Sequence, residues 1–146
     1  MTLKECLPRG YKIKFLASDI SELVLQKAIS GIYSKKVVEE DVPSKLISEY
    51  FKKVGNDYVV RDEYKSQIVF RKVNLTEKFK FNYKFDIIFC RNVMIYFDTE
   101  TKKKLIEQMS NTINPGGFLI VGLSESLGND RQGLELVKSS IYIKDK

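Results

Sequence analysis

Three polar side chains follow a markedly apolar stretch of the sequence. The run Phe85–Cys90 is typical of a buried strand, and Arg91 and Asn92 come directly after it. A second apolar run then carries one phenol, Tyr96. Because α/β proteins bind their ligands at the carboxyl ends of strands, Arg91, Asn92 and Tyr96 are expected to lie where chemistry would be done.

The elements before this stretch begin with a strand that leads directly into a helix. Residues Tyr11–Ala17 alternate apolar and basic side chains, which predicts a strand that closes on Asp19. Asp19 and Glu22 resemble a capping box, which favours a helix start, and Gly31 offers a stop. A second strand is predicted over Gln67–Leu75, with Asn74 and Leu75 at its end.

The segment between these two strands interrupts the regular alternation of strands and helices. Pro43 suits the first position of a helix, whose apolar residues continue to Val54 before the turn residues Gly55-Asn56-Asp57. Tyr58–Val60 is a short β run. We therefore interpret residues 35–65 as an inserted small β-subdomain.

The C-terminal third predicts one more helix and three more strands. Asp98 caps a helix that carries Leu105, Ile106, Met109 and Ile113 on one face, and Asn114-Pro115-Gly116-Gly117 breaks it. The run Phe118–Leu123 is apolar throughout, as in strands that are covered on both faces. Leu134–Val137 and Ile141–Ile143 are predicted to form a closing antiparallel hairpin. The expected fold class is α/β, with a mainly parallel sheet.

Composition restricts the possible functions. The chain has 146 residues, a net charge of +6, two cysteines and no histidine. Two isolated cysteines predict a reducing, cytoplasmic setting, and without histidine a metal site is not expected. No apolar run is long enough for a membrane span, and the N-terminus lacks a signal-peptide pattern. The positive charge favours acidic partners, but no nucleic-acid-binding signature accompanies it, so nucleic-acid binding is not expected.

Each candidate residue also has an ordinary structural interpretation when it is taken alone. Asp19 could simply cap a helix, Asn74 could be a turn residue, and Tyr96 could belong to the core. Arg91 is harder to explain in this way, because a charge at the end of a buried strand needs a partner or a ligand. Cys90 is interpreted as a small buried residue rather than a nucleophile, since no histidine exists to activate it.

The motifs together resemble one family, the chemotaxis receptor methyltransferases of the CheR type. The run Phe89–Phe97 carries the strongest similarity. The other landmarks occur in the family's order: Ala17–Ile20, Ala28 with Gly31 and Tyr33, Tyr50-Phe51, Val73–Leu75, Pro115–Gly117 and Gly122–Ser126. The resemblance runs from about Lys12 to the C-terminus. It implies a Rossmann-like methyltransferase fold that uses S-adenosyl-L-methionine, with S-adenosyl-L-homocysteine as the product, to methylate glutamate side chains of receptor helices.

The resemblance also implies roles for single residues. Asp19 would accept hydrogen bonds from the ribose hydroxyls, and Asn74 and Leu75 would hold the adenine. Arg91 and Asn92 would lie beneath the methionine part of the cofactor and the reacting centre.

Two residues are implied for catalysis, Arg91 and Tyr96, the latter near the transferred methyl. An arginine can hold a carboxylate through two parallel hydrogen bonds, and a phenol can orient one of its oxygens. The expected partners are the acidic methylation helices of chemoreceptors, with a response regulator as a further possibility. No membrane insertion is expected.

Two parts of the family pattern have no counterpart in this sequence. One is an N-terminal helical domain, and the other is the first strand with its glycine-rich cofactor loop. Residues 1–146 are therefore interpreted as a methyltransferase domain that is truncated at its N-terminus. An alternative function follows from the same observation: a non-catalytic paralogue that binds receptors or a regulator.

Overall fold

The computed structural model describes Cys6, Pro8, residues 10–129 and residues 131–145. The chain divides into two units, Met1–Val73 and Asn74–Lys146. Both units contain helices and strands, and parallel and antiparallel strand pairs are both present. The predicted α/β fold class is confirmed.

The strands of the first unit form two separate sheets. In chain order the elements are β1 (Phe15–Asp19), α1 (Glu22–Ser30), β2 (Ile32–Ser34), α2 (Lys35–Asp41), α3 (Ser44–Tyr50), β3 (Phe51–Val54), β4 (Asp57–Val60), α4 (Asp62–Lys65) and β5 (Ile68–Lys72). Strands β1 and β5 pair in parallel, and β2, β4 and β3 form an antiparallel sheet in that order.

Strand β1 is shorter than the alternation of residues predicts. It begins at Phe15, which pairs with Ile68 at the start of β5. Gln67, the residue before β5, accepts a hydrogen bond from the Phe15 N–H at 3.4 Å. The partner strand does not extend further, so Tyr11 lies outside the strand and is 69% exposed.

The start of α1 also differs from the predicted capping box. Ser21 is the N-cap residue, and its Oγ accepts a hydrogen bond from Val24 N at 3.4 Å. Asp19, two residues before the cap, accepts a hydrogen bond from Ser21 N through its Oδ1 at 2.8 Å. Glu22 instead pairs with Lys72 Nζ at 2.7 Å. The predicted stop is confirmed, because Gly31 ends the helix in the left-handed conformation at φ 64°.

The segment 35–65 contains two helices that were not predicted, α2 and the short α4, and a strand in place of predicted helix. Helix α2 was missed because it carries only two apolar residues, Val37 and Val38, of which Val38 alone is buried. The helix predicted from Pro43 ends at Tyr50. Residues Phe51–Val54 then turn into β3 and form a hairpin with β4 across Gly55, which has a positive φ of 60°. That this segment is an inserted subdomain stays a prediction.

The elements of the second unit form a four-stranded sheet with one long helix. They are β6 (Phe85–Cys90), a 3-10 helix (Met94–Tyr96), α5 (Thr99–Thr112), β7 (Ile113–Val121), β8 (Leu134–Lys138) and β9 (Ile141–Lys144). The strand order is β6-β7-β9-β8, with β6 and β7 parallel and the other pairs antiparallel. The predicted strand Phe85–Cys90 and the C-terminal antiparallel pair are confirmed.

Strand β7 starts earlier and ends earlier than the apolar run predicts. It includes Pro115 and Gly116, and the register against β6 shifts there so that Phe85 pairs with Ile113 and Ile87 with Phe118. Leu123, which was predicted to lie in the strand, is 82% exposed in the turn that follows it.

The core of the second unit lies between α5 and the sheet. It consists of Cys90, Met94, Leu105, Ile106, Met109, Ile113, Leu119, Val121, Leu127, Leu134 and Tyr142. Because β6 and β7 are both anchored in this core, their carboxyl ends are held side by side.

Candidate functional site

The loop after β6 presents the three predicted polar side chains. Arg91, Asn92 and Tyr96 are all exposed, and the exposed fraction of Tyr96 is 80%. Met94 anchors the loop in the core at 2% exposure. Tyr96 N and Phe97 N donate to Val93 O and Met94 O at 3.3 and 3.1 Å, which closes the 3-10 turn. The core interpretation of Tyr96 is therefore wrong, and its phenol is accessible.

One carboxylate joins this loop to the end of the neighbouring strand. Glu125 Oε1 accepts from Val93 N at 2.9 Å and from Met94 N at 2.7 Å. Its Oε2 accepts from Asn92 N at 2.7 Å and from Gly122 N at 2.6 Å. Glu125 is a functional residue that was not among the predicted site residues. Its position in the sequence could have indicated a role, because Glu125 is an acidic residue just after a predicted buried strand. A charge in such a position needs a partner or a ligand, as was argued for Arg91.

The ionisation of Glu125 follows from these contacts. Burial of the side chain, which is 7% exposed, acts to raise the pKa of its carboxyl. The main-chain hydrogen bonds from Gly122, Asn92, Met94 and Val93 act against this and bring the pKa below its usual value. Glu125 is therefore a carboxylate at neutral pH.

Cys90 is the last residue of β6, near Glu125, but its thiol has no nucleophilic character. Its side chain is 4% exposed. Burial, followed by the negative charge of Glu125, raises the pKa of its thiol to about 11. A thiol with such a pKa stays protonated at neutral pH, in agreement with the interpretation of Cys90 as a small buried residue.

Asn74 and Leu75 begin the second unit. Asn74 Oδ1 accepts from Thr76 N at 3.1 Å and from Thr76 Oγ1 at 2.8 Å, while its Nδ2 donates to Glu77 Oε1 at 2.7 Å. These hydrogen bonds show that Asn74 is a turn residue, which was its ordinary structural interpretation. Leu75 is partly buried against the core of this unit. The adenine-holding role of both residues stays a prediction.

Asp19 ends β1 in the first unit. Its main-chain oxygen accepts from Val73 N at 3.1 Å, and Oδ1 is used by Ser21 N. Within the described residues, no hydrogen bond engages Oδ2, so this oxygen can accept from a hydroxyl group. The ribose-binding role of Asp19 stays a prediction.

Comparison with known proteins identifies the family. The family model described as CheR methyltransferase, SAM binding domain, matches residues 1–143. The chain belongs to the CheR methyltransferase family. A chemotaxis protein methyltransferase of Borreliella burgdorferi is 37% identical over 99% of this chain and 52% of its own length. The relative from Vibrio parahaemolyticus is 36% identical over 86% of this chain and 46% of its own length.

The chain thus spans about half the length of the curated relatives that it matches. Among solved structures, the N-methyltransferase NodS of Bradyrhizobium japonicum aligns with a TM-score of 0.54. The alignment covers 91% of this chain and 74% of that one at 11% identity, so it supports the fold alone. The predicted methyltransferase fold and CheR-type family are confirmed.

The cofactor that goes with this family domain is S-adenosylmethionine. In the first unit, no hydrogen bond within the described residues engages Asp19 Oδ2, and this oxygen suits a ribose hydroxyl. In the second unit, Arg91 and Asn92 carry exposed polar groups after β6. Asn74 fits less well, because both polar atoms of its side chain are used in the turn. Among the described helices, none is both long enough and apolar enough to cross a membrane.

Proposed function

We propose that this chain is the catalytic part of a protein-glutamate O-methyltransferase that acts on chemotaxis receptors. One observation carries the proposal: a CheR-family chain presents Arg91, Asn92 and Tyr96 on an exposed loop that is fixed between two parallel strand ends. Side chains whose only role was packing in the core would be buried and not exposed at the carboxyl ends of the strands.

For this reaction the protein mainly has to position the two reacting groups. When bound, S-adenosylmethionine supplies a methyl group on a sulfonium, which is already a strong electrophile. A glutamate carboxylate is ionised at pH 7, so no general base is needed. The protein must hold one carboxylate oxygen in line with the methyl group.

Two side chains of the loop suit this task. The guanidinium of Arg91 can donate two parallel hydrogen bonds to the acceptor carboxylate. The phenol of Tyr96 can donate one more and select which oxygen faces the methyl group. Asn92 lies between them in sequence and would contact the methionine part of the cofactor, while Asp19 would accept from the ribose.

The proposed substrate is the acidic methylation region of chemoreceptor helices. The net charge of +6 favours encounter with such a surface. A response regulator is a second proposed partner, and the cytoplasm is the proposed location.

The test is methyl transfer from S-adenosylmethionine with a labelled methyl group to a purified receptor cytoplasmic fragment. Glutamate methyl esters release methanol in base, which distinguishes them from methylated amines. We expect Arg91→Gln to lower kcat/KM by at least about tenfold, the loss of roughly one charge-assisted hydrogen bond. Lys84→Gln removes the same charge from another exposed loop and should leave the rate unchanged.

The outcomes separate the two candidate functions. If neither this chain nor a longer protein that contains it transfers methyl groups, the enzymatic proposal fails. Binding of the receptor fragment without any transfer would then favour the non-catalytic binding module.

A further inference from the structure

We infer that Glu125 is a positioning residue for the methyl-transfer site, a role that rests on the proposed function. It touches neither cofactor nor substrate in this proposal. It acts by fixing the main chain of residues 92–94, and through it the directions in which Arg91, Asn92 and Tyr96 extend.

Four hydrogen-bond donors converge on the Glu125 carboxylate. Three consecutive main-chain N–H groups, from Asn92, Val93 and Met94, point at one carboxylate, and Gly122 N adds a fourth from the end of β7. Consecutive N–H groups of this kind form an anion-binding concavity. Here the anion is supplied by the protein itself.

The main chain that the carboxylate binds has an unusual conformation. Asn92 has a positive φ of 58°, which L-residues other than asparagine, aspartate and histidine rarely adopt. The residue next to it, Val93, returns to a negative φ of −116°. This reversal directs three successive N–H groups to the same side, and Glu125 is the group that they bind.

The loop after β6 and the end of β7 lie very close to each other. A Cβ atom on Gly122 would lie 2.6 Å from both Asn92 Oδ1 and Glu125 Oε2. Only glycine allows β7 to end this close to the loop. Ser140 fixes the same place from the other side, since its Oγ donates to Gly122 O at 3.1 Å.

Glutamate is the one side chain whose chemistry fits all four donors. Glutamine has a single acceptor oxygen and would turn an NH₂ group towards N–H groups. Aspartate keeps the charge but is one methylene shorter. A consequence for the reaction follows: because Glu125 occupies these N–H groups, the acceptor carboxylate is left to the side chains of Arg91 and Tyr96.

The experiment compares wild type with Glu125→Gln by calorimetric titration of S-adenosylhomocysteine into the whole chain. A role limited to stability would lower the binding stoichiometry and leave the Kd of the folded fraction unchanged. A positioning role raises Kd, by at least about tenfold as we expect, at unchanged stoichiometry. Glu135→Gln, an exposed glutamate on β8, is the matched control and should change neither value.

Amide hydrogen exchange provides a second readout that needs no ligand. In Glu125→Gln the amides of Asn92, Val93, Met94 and Gly122 should exchange at least tenfold faster, while amides in α5 keep their protection. Should Glu125→Gln not fold, Glu125→Asp is used with the same readouts.

Each result decides between the two proposals. Unchanged Kd together with unchanged exchange at residues 92–94 overturns the positioning role. If wild type does not bind S-adenosylhomocysteine, the proposed function fails for this chain, and exchange alone decides whether Glu125 fixes the loop.

Discussion

At the scale of single residues, the carboxylate of Glu125 determines what its neighbours can do. Its charge adds to burial in keeping the Cys90 thiol protonated, and its hydrogen bonds fix the main chain beneath Arg91 and Asn92. One buried side chain thus adds to the effect of burial on Cys90 and also holds the residues that are proposed to bind the substrate.

The reactivity of the two cysteines gives the first prediction. Cys90 is buried and the pKa of its thiol is raised to about 11, whereas Cys6 is exposed. A disulfide reagent such as dithionitrobenzoate should therefore titrate one thiol in the native protein at pH 8 and two in urea. Cys6→Ser should abolish the fast native reaction. Rapid labelling of native Cys6→Ser would contradict the buried state of Cys90.

The residues after β6 could be predicted from the sequence, whereas for Glu125 the sequence shows only an acidic residue after a buried strand and not the groups that it binds. Arg91, Asn92 and Tyr96 stand directly after a run that is recognisable as a strand from composition alone. The role of Glu125 depends on the pairing of β6 with β7, which brings residues 31 to 33 positions apart into contact. No local pattern contains that information.

At the scale of elements, the predicted bounds are confirmed where the local sequence pattern fits only one type of secondary structure. The run Phe85–Cys90 was predicted to its bounds, because its apolar residues are bordered by polar ones. The helix predicted from Pro43 ended too late, because Phe51 and Val54 fit a helical spacing as well as a strand. Pairing of β3 with β4 overrides the helical pattern at this point.

The cap of α5 gives a prediction at this scale. Asp98 Oδ1 accepts from Thr101 N at 2.8 Å, and its Oδ2 accepts from Thr101 Oγ1 at 3.1 Å. Asp98→Ala should lower the urea midpoint of unfolding at an unchanged m-value, because it leaves an N–H of the first turn unpaired. Asp98→Asn keeps a side-chain oxygen that caps a helix about equally well, so its urea midpoint should stay close to that of the wild type.

The same residue has a defined pH dependence. The main-chain and then the side-chain hydrogen bond from Thr101 lower the pKa of the Asp98 carboxyl. A lowered folded-state pKa means that the cap's contribution is complete above the unfolded value of about 3.9 and is lost as pH falls through the folded value. The stability difference between wild type and Asp98→Asn should therefore change only below about pH 4. A difference that changed mainly between pH 6 and 8 would contradict this assignment.

At the scale of the whole molecule, the balance of charge bears on the proposed partner. The chain carries 25 basic and 19 acidic residues, for a net charge of +6. Attraction between such a protein and an acidic helical surface acts over a screening length of about 10 Å at 0.1 M salt and about 3 Å at 1 M. Long-range attraction should therefore appear in the association rate more than in the dissociation rate.

This leads to a prediction about the proposed receptor complex. The association rate constant for an acidic receptor fragment should fall by about tenfold or more between 0.05 and 1 M sodium chloride, with little change in the dissociation rate. Surface plasmon resonance with the fragment immobilised measures both rates. A fragment whose methylation-site glutamates are replaced by glutamine should show a smaller dependence on salt, since it offers fewer charges.

Duplex DNA provides the contrasting partner, because net charge alone would attract it as well. If charge is the whole basis of recognition, DNA should compete with the receptor fragment at 0.15 M salt. If the loop after β6 recognises a carboxylate, DNA should not compete, and Arg91→Gln should slow capture of the fragment less than it speeds its release. An association rate that is insensitive to salt would show that the positive charge plays no part in the encounter.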